Sequence, residues 1–256
     1  METENGQFMG NYIKDPVLQE RAASQMKSNP SYGVTIQELK NYVSFDEAKD
    51  LKFAFAYQFD ALDVNEDITV NEVVVFESED RKIRIEFFKS DVDGDVDEKF
   101  LATVIRSVGE EEIATAFEVV EGVVDVIIEG EFGMDAIPAL ELNLPEVEGY
   151  EPGVTKTMVG TEDFQYFCLY WDARGIRYQH CGRGCGVSGP YGGGKLVNRI
   201  DGCCAIHDDC WKNKRRTRNC CDKYLVKCAA RSVLDDYPTY LEIKAYFNKT
   251  AQLCKE

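Results

Sequence analysis

The first 160 residues of this 256-residue chain contain no cysteine, although the chain has ten. Disulfides and thiolate metal sites are therefore excluded from that part. Histidine is scarce as well: the chain has only His180 and His207, which confines imidazole chemistry to the cysteine-bearing part. No stretch reaches the roughly 18 apolar residues that a membrane-spanning helix requires. The first 21 residues also lack the basic and apolar regions of a signal peptide.

Basic residues are few in the N-terminal part. Residues 1–160 hold 13 Lys and Arg against 35 Asp and Glu, a net charge of −22, whereas residues 161–256 carry +5. The total of −17 argues against nucleic acid as a partner. Charge and cysteine content change together, which predicts a boundary near 150–162 between an acidic domain (1–155) and a disulfide-rich domain (161–256). Their opposite charges favour a contact between the two domains.

Ten cysteines in fewer than 100 residues predict a disulfide framework formed in an oxidising compartment. We therefore expect a secreted, extracellular protein. The missing signal peptide then requires either a leaderless or dedicated export route, or a chain that is a product of processing, and the sequence does not choose between them.

A glycine-rich loop followed by a helix dominates residues 180–211, HCGRGCGVSGPYGGGKLVNRIDGCCAIHDDCW. Spacings of four and three residues place Cys203, His207 and Cys210 on one face of that helix. A histidine held between two cysteine anchors is rigid, and an imidazole can take up a proton at neutral pH. The adjacent Asp208 carboxylate and the loop carbonyls are the oxygen ligands that calcium prefers. The pattern predicts a general base beside a calcium site.

The segment CCAIHDDC, with HCGRG upstream, resembles the secreted phospholipase A2 family, whose pattern is a calcium loop followed by CCxxHDxC. A second segment, CCDKYLVKC (220–228), is similar to the second long helix of that family, with Asp222 at the position of its catalytic aspartate. The resemblance covers about residues 165–254 and does not extend to residues 1–160.

The resemblance implies an enzyme that hydrolyses the sn-2 acyl ester of glycerophospholipids at a membrane surface or micelle, giving a lysophospholipid and a fatty acid. His207 would activate the attacking water, and Asp222 would fix the tautomer of His207. The Ca²⁺ ligands would be the Asp208 carboxylate and the backbone carbonyls of His180, Gly182 and Gly184. The ion, helped by the Gly182 N–H, would stabilise the oxyanion.

The resemblance also implies three disulfides, which are Cys181–Cys204, Cys203–Cys228 and Cys210–Cys221. Four further cysteines can pair in three ways, and the sequence leaves this open: Cys168, Cys185, Cys220 and Cys254. Two departures from the family are visible. The segment between Cys181 and His207 is longer than in the animal digestive and venom enzymes. Trp211 also stands where many members have a tyrosine, and an indole can donate to Asp222 but cannot accept.

Other functions compete with this interpretation. The chain could be a catalytically inactive relative that binds lipid or membranes, or a toxin module that the acidic domain holds in check. A zinc site of thiolates and histidine is disfavoured, because the cysteines include adjacent pairs and no CxxC.

Periodicity and turn signals predict the remaining elements. Helices are expected at 15–27, 110–120 and 238–253, and SNPSYG (28–33) is expected to be a loop. Strands are expected at 68–78, 81–89 and 122–132, the first two forming a hairpin. A capping box at Ser44 favours a helix toward Phe59, although LKFAFAYQF could equally be a strand. Residues 99–108 fit either a helix or a third strand. The fold class that follows is an α+β domain before a mainly α, disulfide-rich domain.

Three further segments are open to a structural or a functional interpretation. The acidic runs 63–72 and 91–98 match EF-hand loops only in part, and we interpret both as solvated turns. The aromatic-rich segment 161–179 suits a helix on the cysteine core, or else a lipid-facing wall. The basic run 212–218 suits anionic headgroups, an inter-helix connection or docking of the acidic domain.

Overall fold

The structure is a computed structural model that describes residues 9–62, 68–92, 95–140, 144, 146–153, 168–171, 174–187 and 189–255. The acidic runs 63–72 and 91–98 and the predicted boundary 150–162 lie partly outside these residues. Three aromatic residues of the predicted aromatic segment lie outside them altogether: Phe164, Tyr166 and Phe167.

Seven strands form one antiparallel sheet in which every strand pairs with its neighbours along the chain. The strands are β1 (Met9–Tyr12), β2 (Leu51–Leu62), β3 (Ile68–Ser78), β4 (Ile83–Val92), β5 (Asp95–Val108), β6 (Glu111–Val120) and β7 (Val123–Glu131). Successive side chains of a strand point to opposite faces. Because the central strands carry apolar residues on both faces, both faces require a covering layer.

Two helices from the N-terminal part cover the first face. They are α1 (Pro16–Ser28) and α2 (Pro30–Tyr42), and a single turn, α3 (Glu47–Asp50), leads into β2. Asp15 and Asn29 cap α1 and α2 by accepting from the backbone N–H groups of Val17 and Ser31. Met26 and Leu39 are fully buried and belong to the same cluster as Phe100 and Phe117 of the sheet.

The C-terminal part covers the second face. It contains a short hairpin, β8 (Tyr170–Trp171) with β9 (Ile176–Arg177), and three helices, α4 (Arg199–Lys212), α5 (Arg218–Arg231) and α6 (Tyr237–Ala251). Sheet residues such as Tyr57, Leu101 and Ile128 share one buried cluster with Ile200 and Leu225 of these helices. The contact between α4 and β7 is close: a Cβ on Gly202 would lie 2.8 Å from Cγ2 of Ile128, so any larger residue would require Ile128 to shift.

A buried ion-pair network joins the sheet to the start of α4. The guanidinium of Arg199 donates to Glu86 of β4 at 3.0 Å and to Asp235 at 3.0 Å. Glu86 is fully buried, and burial raises its pKa while Arg199 and Arg84 lower it. Nearer the surface, the partly exposed Arg231 pairs with the buried Glu118 of β6 and with the exposed Asp125 of β7. Acidic side chains of the N-terminal part therefore meet basic side chains of the C-terminal part.

The broad fold prediction is confirmed, since an antiparallel sheet region precedes a helical region with five disulfides. The predicted helix 15–27, the strands at 68–78, 81–89 and 122–132, and the final helix are also present. LKFAFAYQF and residues 99–108 are strands.

Two predictions were wrong. Residues 110–120 form β6 and not a helix, because two long neighbouring strands supply their hydrogen bonds and bury Ala114, Ala116 and Phe117. The acids that suggested a helix start instead pair with lysines, as Glu112 does with Lys82. The SNPSYG segment is not a loop: Asn29 ends α1 and caps α2, with Pro30 in the first turn of α2. Among the described residues, no helix is both long enough and apolar enough to cross a bilayer.

Candidate active site

Two disulfides hold α4 against α5, and these two helices carry the central site residues. Cys203–Cys228 and Cys210–Cys221 link them, and Cys181–Cys204 ties the glycine-rich loop to α4. These are the three pairs that the resemblance implies. The other four cysteines form Cys168–Cys185 and Cys220–Cys254. The site therefore rests on covalently fixed elements.

His207 and Asp222 form a buried pair. Nε2 of His207 lies 2.9 Å from Oδ1 of Asp222. A carboxylate only accepts, so Nε2 carries the proton and Nδ1 is left as the nitrogen that can accept one. Asp222 also accepts from the Trp211 indole at 3.2 Å and from the Thr250 hydroxyl at 2.5 Å. Three donors thus orient this carboxylate. Trp211 is one of them, because its indole N–H donates a hydrogen bond and cannot accept one.

His207 lies at the side of a cleft of about 580 Å³. The rings of Trp211 and Phe247 pack on the imidazole, with centroids 4.6 and 5.0 Å away. Apolar side chains on the cleft include Trp211, Leu225, Tyr246 and Phe247, and the glycine-rich loop lines another part. All described residues that line the cleft fall between His180 and Phe247. The cleft therefore combines a candidate base with apolar walls.

Asp201, on the first turn of α4, holds the glycine-rich loop in place. Its carboxylate accepts from the backbone N–H groups of Gln179 and His180, at 3.1 and 2.7 Å, and from Val197 at 3.3 Å. Asp201 is fully buried, and burial raises its pKa against the lowering effect of His180 and these bonds. The segment that begins at His180 is thereby anchored to the helix that carries His207.

Asp208 faces this loop with an unsatisfied carboxylate. Burial, and then the charge of Asp201, raise the pKa of Asp208 to about 7. Its Oδ2 is buried and has no hydrogen-bond partner in the part of the chain that the structure describes. A Cβ on Gly186, whose φ is +99°, would lie 2.0 Å from that oxygen. The backbone approaches the carboxylate so closely that a side chain at position 186 is excluded.

These observations fit a cation site. The loop brings its backbone at His180, Gly182 and Gly184 to the cleft that Asp208 also lines. The Gly182 carbonyl accepts from Cys185 N–H at 3.1 Å and the Gly184 carbonyl from Tyr191 N–H at 3.3 Å, which leaves each a second lone pair. Within the described ranges, no three His, Cys, Asp or Glu side chains cluster as metal ligands. A cation here would need backbone carbonyls as well as Asp208.

Sequence reasoning did not identify two supporting residues. Asp201 had a detectable signal, because it opens the helix that carries the cysteines. Thr250 had a weaker one: it lies four residues before Cys254, whose disulfide to Cys220 brings the end of α6 to the start of α5, near Asp222. The loop anchor and the third donor to the carboxylate became visible only in the fold.

The basic run 212–218 lies beside the cleft. Lys212 lines the cleft, the Arg218 guanidinium lies 5.3 Å from the Trp211 ring centroid, and Arg216 lies 4.3 Å from that of Tyr224. Arg215 forms an exposed ion pair with Asp209 at 2.7 Å. Cationic side chains are therefore concentrated next to the apolar walls.

No protein-family model, curated protein or solved structure matches the chain.

Proposed function

We propose that this protein is a calcium-dependent phospholipase A2 that hydrolyses the sn-2 acyl ester of glycerophospholipids. The observation that carries the proposal is the buried His207–Asp222 pair, which leaves Nδ1 of His207 as the proton acceptor at a cleft shared with Asp208. A base oriented by a carboxylate, next to a site for developing negative charge, is the arrangement that ester hydrolysis needs.

The proposed reaction uses His207 twice. Nδ1 removes a proton from a water molecule, and the water oxygen forms a bond to the sn-2 carbonyl carbon. The tetrahedral intermediate then breaks its bond to the glycerol oxygen, which takes the proton back from the imidazolium. Asp222 stays ionised and stabilises the imidazolium through its 2.9 Å contact with Nε2. The products are a lysophospholipid and a fatty acid, and His207 returns to its starting state.

Asp208 and the carbonyls of His180, Gly182 and Gly184 are the proposed Ca²⁺ ligands. Held by these ligands, Ca²⁺ would supply Lewis-acid polarisation of the ester carbonyl and stabilisation of negative charge on its oxygen. The backbone N–H of Gly182 is the proposed second donor to that oxygen. The buried Oδ2 of Asp208, which has no hydrogen-bond partner among the residues that the structure describes, supports this assignment, because an ionised carboxylate without a partner is unfavourable away from water.

The proposed partner is a phospholipid surface. Leu225, Tyr246 and Phe247 provide apolar contacts for an acyl chain, while Lys212 and Arg218 lie where anionic headgroups would be attracted. Action on lipids outside the cell agrees with the five disulfides, which suit an oxidising compartment.

The neighbouring residues Asp208 and Asp209 provide a matched test and control for the proposed calcium site. Fatty-acid release from mixed anionic vesicles is measured with millimolar Ca²⁺ and with chelator, for wild type and for His207→Gln, Asp208→Asn and Asp209→Asn. We expect His207→Gln to lower the rate at least ~100-fold and Asp208→Asn to abolish the calcium response. Asp209→Asn should behave as wild type, because the contacts of the Asp209 carboxylate with Arg215 and Asn213 are exposed.

Vesicle binding is measured in parallel. Release that persists in chelator, or is equal in wild type and His207→Gln, would contradict the proposal. Binding without any release from wild type would instead identify a catalytically inactive lipid-binding protein.

A further inference from the structure

The imidazole of His180 is buried near Gly186, and one of its nitrogens has no hydrogen-bond partner among the described residues. Only 7% of the residue surface is exposed. Nε2 lies 2.9 Å from the Gly194 carbonyl oxygen. A carbonyl can only accept, so Nε2 carries the proton and the neutral ring keeps its lone pair on Nδ1. Nδ1 is buried and makes no hydrogen bond within the described part of the chain.

Nδ1 of His180 and Oδ2 of Asp208 lie near the same position beside Gly186. They lie 3.7 and 2.0 Å from the position that a Cβ on Gly186 would occupy. The two atoms are therefore no farther apart than the sum of these distances. A cation at ~2.1 Å from each would hold them at most about 4 Å apart, which this placement allows. Because Gly186 has no side chain, the space between them is not filled by protein at that position.

Two buried acceptors near each other, neither with a hydrogen-bond partner among the described residues, favour a positively charged species that binds both. We propose that Nδ1 of His180 is a side-chain metal ligand that, together with Oδ2 of Asp208, binds a first-row transition metal ion such as Mn²⁺ or Zn²⁺. An imidazole with a carboxylate suits these ions, whereas Ca²⁺ takes oxygen ligands. Backbone carbonyls and water complete the coordination, since only two side chains contribute. The inference rests on the cation site of the proposed function but not on lipid hydrolysis.

The chain offers an unusually direct test, because it has only two histidines. In His207→Gln protein, His180 is the only imidazole. Pulsed EPR of Mn²⁺ bound to this variant should show coupling to a directly coordinated imidazole nitrogen. The control is the double variant His180→Phe/His207→Gln, which has no imidazole and should show no such coupling. Wild type labelled with ¹⁵N-histidine should show the corresponding ¹⁵N coupling without any substitution.

Calorimetry then compares ions. His180→Phe should weaken Mn²⁺ and Zn²⁺ binding at least ~10-fold, since even second-shell changes cost that much. Ca²⁺ binding should change little, because calcium does not use imidazole nitrogen. Near-UV circular dichroism checks that the variant is folded.

Mn²⁺ that binds at Asp208 with no nitrogen coupling, in labelled wild type as well as in His207→Gln, would overturn this inference and leave the calcium proposal intact. Loss of Mn²⁺ binding but not of Ca²⁺ binding in Asp208→Asn would overturn the calcium assignment instead.

Discussion

Trp211 donates its indole N–H to Oδ1 of Asp222 over 3.2 Å, and this is the same oxygen that accepts from His207. The tryptophan therefore orients the carboxylate that orients the base, and its ring also packs on the imidazole. Thr250 holds the other oxygen. Support for the proposed base comes from α4, α5 and α6 together.

Trp211→Phe should lower the rate of ester hydrolysis about 3–10-fold, because it keeps an aromatic ring but removes one hydrogen bond to Asp222. Thr250→Val should have an effect of similar size, and the double variant should lose less than the product of the two, because both act on one carboxylate. Turnover and vesicle binding are measured separately. Tyr224→Phe, on the exposed side of α5, is the control. A loss confined to vesicle binding would contradict a role through Asp222.

Arg199→Met should destabilise the protein by roughly 3–5 kcal/mol, because it leaves the buried carboxylates of Glu86 and Asp235 without their shared cation. Chemical denaturation measures the free energy of unfolding. Arg215→Met is the control: its ion pair with Asp209 is exposed on both sides, and its loss should cost less than about 1 kcal/mol. Equal effects of the two substitutions would show that the buried network does not stabilise the junction.

Asp236 should make the protein less stable as the pH rises from 4 to 7. Burial raises its pKa from 3.8 to about 6, although Thr239 and Tyr178 donate to it. The folded state therefore favours the protonated acid, and this contribution is present below about pH 4 and lost as the pH rises through 6. The stability of wild type relative to Asp236→Asn should fall by on the order of 3 kcal/mol over this range. If the free energies of unfolding of wild type and Asp236→Asn change in parallel with pH, this prediction is contradicted.

Replacing Cys220 and Cys254 together by serine should cost about 2–4 kcal/mol, because their bond closes a loop over a sequence separation of 34 residues. The measurement is the free energy of unfolding at neutral pH. The rate of hydrolysis should fall as well, since Thr250 lies one turn before Cys254 and depends on the end of α6 for its contact with Asp222. An unchanged rate would show that α6 is positioned by its packing alone.

Local patterns in the sequence predicted much of the candidate site. Spacings within one helix put His207, Asp208 and the cysteines on α4, and the resemblance supplied Asp222. The prediction failed where local propensity competed with pairing partners. Residues 110–120 have acids at their start, as a helix would, yet β5 and β7 on either side make them a strand. A short stretch of sequence does not show which strands will pair with it, so this outcome could not be predicted locally.

By itself, the sequence determined the residues of the proposed chemistry and the separation of an acidic, cysteine-free part from a cysteine-rich one. Those properties follow from composition and from spacings shorter than a helix. The tertiary structure decided that the sheet packs against α4 through Glu86 and Arg199, that Thr250 reaches Asp222, and that Nδ1 of His180 and Oδ2 of Asp208 both lie near Gly186. These contacts join residues separated by 28 to 113 positions, and only packing of the whole chain brings such residues together.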